Sequence, residues 1–112
     1  MDVTAEQNGA ATVIRVAGSL DALTAPALTD FFSGQLQGEH ARLIADLSGL
    51  EYSSSAGLRV LLAAVKEARQ RGGDLRLACV TPQVSKVLNM SGFNNILKIF
   101  PDVAAAVASY GA

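Results

Sequence analysis

The sequence predicts an α/β fold: one domain with a small, mixed, mainly parallel sheet, about four flanking helices and an amino-terminal antiparallel hairpin. Three observations lead there. Apolar runs of strand length, such as Leu43-Ile44-Ala45 with Leu47, alternate with segments of helical spacing, such as Leu58, Leu61, Leu62 and Val65. That alternation calls for parallel strands joined by right-handed helical crossovers. Between the first two strand-like segments lies Gln7-Asn8-Gly9, a turn suited to a hairpin. At 112 residues the chain can build one core but not two, so residues 1–112 are read as one domain.

Taken in order, residues 2–6 give a weak edge-strand signal, and Thr12 to Ala17 a strong one from β-branched residues. Gly18 is expected to end that strand. Thr24 is a candidate cap for a first helix, with Pro26 in the first turn where its missing N–H costs little. Leu28, Phe31, Phe32 and Leu36 give this helix an apolar face, Gly34 weakens it, and Gly38 is its expected terminator.

The central segment runs from Leu43 to Lys66. It reads as a strand covered on both faces that stops at Asp46, a short polar turn, three serines, and an amphipathic helix. Ser53, Ser54 and Ser55 precede the helix, where a hydroxyl can cap free backbone N–H groups. Polar side chains between a strand and a helix belong at the carboxyl edge of the sheet, where open α/β sheets place their sites. The helix ends at Arg69-Gln70-Arg71-Gly72-Gly73. Lys66, Arg69 and Arg71 suit the negative end of the helix and are read as capping and solvation.

Leu75, Leu77, Ala78 and Val80 form another buried strand, with Cys79 inside it as a core residue. Thr81-Pro82 opens a third helix with Val84, Val87 and Leu88 inward, closed at Gly92. Ile96 to Phe100 is a short last strand. Pro101 starts a final helix in which Val103, Ala106, Val107 and Tyr110 share one face.

Composition narrows the function. Half the residues are hydrophobic and 17% are charged, which excludes disorder. Nine basic against ten acidic residues leave none of the basic excess a nucleic-acid binder needs. The amino terminus has no basic region followed by an apolar core, and no apolar run nears the ~20 residues that span a bilayer. A single cysteine forms no internal disulfide. A cytoplasmic protein free of membrane and nucleic acid is expected.

Catalysis lacks its parts. A serine nucleophile needs a base, and G-x-S-x-G is absent. The only histidine, His40, precedes the central strand. It is expected at the opposite edge from Ser55, roughly 17 Å away across a five-residue strand. One His, one Cys and scattered carboxylates show no metal-ligand spacing. No phosphate-binding glycine loop is present. No enzyme activity and no cofactor are expected.

The segment D-L-S-G-L-E-Y-S-S-S-A-G-L-R-V-L-L resembles the signature of the STAS family, and within it the bacterial anti-sigma factor antagonists. Gly18-Ser19-Leu20-Asp21 is similar to the family's G-x-L-D turn. The resemblance covers most of the chain and implies the same small mixed sheet. It also implies partner switching. The unphosphorylated form binds an anti-sigma factor serine kinase of the histidine-kinase-like ATPase fold, phosphorylation releases it, and a PP2C-type phosphatase reverses the change.

Alignment on Gly57 and Leu58 puts the phosphoacceptor at Ser55. Ser54 stands where many members have Asp. Ala56 replaces a second Ser of many members and removes a competing hydroxyl. Asp21 and Asp46 are expected near the acceptor with Ser53, although turn formation and capping are their common uses. Candidate partner contacts are Asp21, Ser54, Ala56, Gly57, Arg59, Val60 and the loop Met90-Ser91-Gly92. Val60 is included because it falls off the apolar stripe. The alternative is a non-catalytic STAS scaffold subunit of a transporter or lipid-export complex, its serine segment only shaping a docking face.

Overall fold

A computed structural model describes residues 1–37, 41–92 and 95–111. In chain order they form β1 (Asp2–Asn8), β2 (Ala11–Leu20), α1 (Ala25–Leu36), β3 (Arg42–Ser53) and α2 (Ser55–Gln70). Next come β4 (Asp74–Ala78), α3 (Pro82–Ser91), β5 (Ile99–Phe100) and α4 (Val103–Ser109). The five strands make one sheet in the order β1-β2-β3-β4-β5, with β1 antiparallel to β2 and every later pair parallel.

Sequential parallel strands linked by right-handed crossovers carry all their helices on one face. α1, α2 and α3 cover that face, and α4, following the last strand, packs on β3, β4 and β5. The two-residue period of the strands sorts side chains between two cores. Ile14, Leu43, Ala45, Leu75 and Leu77 join Leu28, Phe32, Leu58, Leu61 and Val84 of the three helices. Val13, Ile44 and Ala78 point the other way and meet Ala106 of α4. Burial on both sides is why β3 opens with an unbroken apolar run.

The first three strands are longer than the sequence suggests. β1 reaches Asn8, and the hairpin turns at Gly9, whose φ of +60° lies in the left-handed region. Gly18 does not end β2. It sits inside the strand at φ +99°, where the pairing with β3 shifts register. β3 does not stop at Asp46 either: it runs seven residues further to Ser53, and Ser48-Gly49 lie in the strand, not in a turn. The physical cause is unequal strand length. β4 ends opposite Asp46, so beyond that point β3 pairs with β2 alone. There Leu47, Leu50 and Ser53 are buried with two exposed residues between each, a three-residue spacing that goes with the two register shifts against β2.

Smaller differences follow the caps. β4 ends before Cys79, which is half-buried and takes a positive φ of 58° outside the sheet, so it is not a core strand residue. Val80 also lies beyond the strand. β5 is confined to Ile99–Phe100, and α4 starts at Val103 with Asp102 as cap, its carboxylate accepting from the Ala105 N–H. α3 is capped by Thr81 and closed by left-handed Gly92 as expected. Gly38, the expected end of α1, lies outside the described residues, as does His40.

Candidate functional site

At the carboxyl ends of β2 and β3 the sheet hands over to helices, and three neighbouring serines meet three different fates. Ser53 ends β3 at 3% exposure, its hydroxyl donating to the Ser54 carbonyl at 3.2 Å. Ser54 is the N-cap of α2: its backbone is extended and its Oγ accepts the Gly57 N–H at 3.4 Å. The Ser54 N–H donates to Leu20 O at 2.8 Å, tying the start of α2 to the end of β2. Ser55 is the first residue of the helix proper. It is exposed, and among the described residues its hydroxyl makes no hydrogen bond. Two serines build the corner and the third is left free.

Gly57 makes the corner possible. A Cβ there would stand 2.5 Å from Leu20 Cγ and 2.7 Å from Ser53 Oγ, so any larger residue would push the first turn of α2 off the sheet. Leu20 itself is fully buried. Asp21 follows it and folds the β2–α1 turn: its Oδ1 accepts the N–H groups of Leu23 at 2.9 Å and Thr24 at 3.1 Å. Thr24 holds the cap position of α1 without capping it; its hydroxyl donates to Ser19 O and accepts the Asp21 N–H. Asp21 thus comes to the same edge as Ser54 and Ser55.

The edge also carries residues that sequence reasoning missed. Leu23, held in the Asp21 turn, is 91% exposed, and Tyr52, beside Ser53, is half exposed. Leu23 belongs to no apolar period, so nothing in the string marks it; its exposure is a tertiary fact. Ala56 is half-buried and Arg59 exposed on the first two turns of α2.

Asp46 and Val60 are not placed as expected. Asp46 lies in the middle of β3, opposite Arg15 of β2, while Ser53 lies opposite Leu20. Five steps of β2 separate those rows, about 17 Å at ~3.3 Å per residue. Asp46 instead accepts the Ser48 N–H at 3.0 Å and pairs with Arg15 at 3.4 Å. Burial, then the negative charge of Asp46, pushes the Cys79 thiol above its ordinary range. Val60 is half-buried, not openly exposed. It packs on the main core and lines a groove of about 60 Å³ between α1 and α2 with Phe32, Leu36, Ala63 and Ala64. Its place off the stripe reflects a second neighbour, α1, beside it.

Met90, Ser91 and Gly92 are exposed at the carboxyl end of α3. Gly92 O accepts from the Asn95 N–H, and Ile96 O, four residues beyond Gly92, accepts from Arg69 in the last turn of α2. Ser55 begins that 16-residue helix, so the two groups sit toward opposite ends of an element roughly 24 Å long.

The free hydroxyl is on open surface. Neither the α1–α2 groove nor the wider cleft between Ser48–Glu51 and Thr81–Gln83 includes a serine of the triplet. Among the described residues no set of three or more His, Cys, Asp or Glu side chains could hold a metal ion, and no helix is long and apolar enough to cross a membrane. The corner presents an exposed hydroxyl oxygen on a shaped surface.

The STAS domain profile matches residues 2–106. The chain belongs to the STAS domain family. Its relative BtrV of Bordetella bronchiseptica, provisionally named an anti-sigma factor antagonist, is 32% identical over 110 residues, covering 98% of this chain and 95% of that one. The anti-sigma factor antagonist SpoIIAA in its unphosphorylated form has the same fold, with a TM-score of 0.82 at 23% identity over 99% of this chain and 98% of its own. The Bacillus cell fate determinant SpoIIAA in the phosphorylated form superposes with a TM-score of 0.71 at 23% identity, covering 93% and 96%. A sulfate transporter family protein from Wolinella succinogenes shares the STAS fold too, at TM-score 0.78 and 18% identity over 91% and 85%. The fold alone therefore does not separate regulators from transporter domains. The site has to.

Proposed function

We propose that this STAS protein is an anti-sigma factor antagonist that works by phosphorylation-controlled partner switching. The observation that carries the reading is the solvent-open, unbonded hydroxyl of Ser55 beside two serines whose hydroxyls are engaged. The names of its relatives support the same class. In the unphosphorylated form the edge made by Asp21, Leu23, Ser54, Ser55, Ala56 and Arg59 docks on an anti-sigma factor serine kinase of the histidine-kinase-like ATPase type. That binding keeps the kinase from its other client. Within the complex, Ser55 Oγ attacks the γ-phosphorus of ATP, the bond to ADP breaks, and the serine proton passes to a base of the kinase. A PP2C-type phosphatase hydrolyses the ester and restores the hydroxyl. The chain supplies a hydroxyl and a surface; catalysis belongs to its cytoplasmic partners.

Charge explains the switch. A phosphoserine brings about −1.5 to −2 charges into a contact shaped around a neutral hydroxyl. Burying such charge unpaired costs several kcal/mol, and ~4 kcal/mol weakens binding about a thousandfold. The domain itself tolerates it, because the group sits at the exposed amino end of α2.

The test is incubation with the cognate kinase and Mg-ATP, read by intact mass and peptide mapping. One phosphate, on Ser55, is expected. Ser55→Ala should hold the kinase with ATP present, and Ser55→Asp should lose binding by two or more orders of magnitude. Equal binding by the two variants, or modification elsewhere, would defeat the reading.

A further inference from the structure

We propose that Arg59 clamps the phosphoserine formed at Ser55, as an ion pair between positions i and i+4 on the first two turns of α2. The inference rests on the preceding reading for its biological use and adds a regulatory element within the chain. Ser55 and Arg59 are both helical and both exposed, four residues apart, so they occupy one stripe of the helix surface. Side chains so spaced start about 5–6 Å apart, and the favourable order places the anion nearer the amino end, as here. Among the described residues Arg59 has no ion-pair partner, while Arg15, Arg69, Arg71 and Arg76 each have a carboxylate. From Ser55 to Val65 Arg59 is the sole charged residue, so no acidic neighbour on α2's first turns competes for it.

Before modification Arg59 is a free cation beside a neutral hydroxyl. After transfer the guanidinium meets an oxyanion with three acceptor oxygens, the geometry in which arginine forms paired charge-assisted hydrogen bonds. Phosphorylation then changes two features of the docking edge together: it adds negative charge at Ser55 and withdraws the positive charge at Arg59 from any acidic contact of the partner. The clamp also favours the dianion, since a nearby cation lowers the second ionisation of the phosphate, otherwise near pH 6. The other charged groups on adjoining elements are Asp21 in the β2–α1 turn and Glu51 near the end of β3, both acidic.

The experiment installs phosphoserine at position 55 during translation, so no kinase is needed. The phosphorus resonance is titrated in the otherwise unaltered chain, in Arg59→Gln and in Arg59→Lys. The second ionisation should rise by roughly half a pH unit in Arg59→Gln and by less in Arg59→Lys. The Arg59 Nε–H resonance should move with the same midpoint. Superimposable titrations of the unaltered chain and Arg59→Gln, or an Arg59 resonance that ignores the phosphate, overturn the clamp. A chain that its kinase fails to modify at Ser55 overturns the preceding reading and leaves this measurement standing.

Discussion

The three serines differ in what their oxygens do, and one glycine decides it. Gly57 lets the first turn of α2 approach the Leu20 side chain, and that approach buries Ser53 and positions Ser54 as cap. A methyl group at position 57 would collide with both Leu20 and Ser53, and core neighbours give way only at a cost. Gly57→Ala is therefore expected to destabilise the domain by about 1–3 kcal/mol. A shift in the urea midpoint at unchanged slope would show it; an unaltered midpoint would mean that the corner is looser than the contacts indicate. That the serine triplet stands at the mouth of α2 was legible in the sequence, from the change of period at Leu58. The roles of its members were not, because cap, buried donor and free hydroxyl differ only in backbone direction and cover. Leu23 is the other residue beyond reach: a leucine in a turn says nothing about whether something lies over it.

Among the elements, α4 is the one that closes the second face. Its apolar side is short, with Ala106 its one fully buried residue, and the rest of its attachment is polar. Tyr110, just past the helix, hydrogen-bonds through its hydroxyl with Leu43 O at 2.6 Å and Asp74 O at 2.8 Å, and Arg76 stacks 4.0 Å from its ring centre. The sequence marks Tyr110 as the last member of an apolar stripe. Its hydroxyl links to the two central strands appear only when β3 and β4 lie side by side. Burial, then the charge of Asp74, raises the Tyr110 phenol well above its ordinary value of 10.0. The native state thus keeps a proton that the unfolded chain gives up above about pH 10, so stability is intact below that pH and drains as pH rises beyond it. Tyr110→Phe removes two acceptor contacts, should cost about 1–2 kcal/mol near neutrality, and should flatten the alkaline loss. Urea denaturation at several pH values from 7 to 11 measures both; an equally steep alkaline decline in the variant would show that another group carries it.

For the molecule as a whole, the apolar mass lies on the two faces of the sheet while the serine corner stands at one edge. Leu43, Ile44 and Ala45, all fully buried, are separated from Ser55 by the extended second half of β3. A charge added at Ser55 meets solvent and the amino end of α2, not the core. Ser55→Asp should accordingly leave the fold intact and change unfolding free energy by no more than about 0.5 kcal/mol, with a gain as reasonable as a loss for an acidic residue in a first helical turn. Amide resonance changes should be confined to the start of α2 and the Asp21–Thr24 turn. Changes that spread across the sheet would mean that phosphorylation acts by remodelling the domain instead of altering its surface. Partner switching on a rigid body and switching by refolding are thereby separable.

Sequence alone determined the α/β class, the hairpin, the order of elements, the cap of α3 and the placing of Ser55, because period, capping residues and the STAS-like segment are all local. It misjudged Gly18, Asp46 and Val60 for one shared reason. Whether a glycine ends a strand, whether a strand outlasts its neighbour, and whether an off-stripe valine meets a second helix depend on what lies alongside in space. Only the tertiary structure sets those partners. It took Asp46 away from the serine corner and brought Leu23 to it, because the lengths of unequal strands and the course of turns are settled by pairing across the sheet and not along the chain.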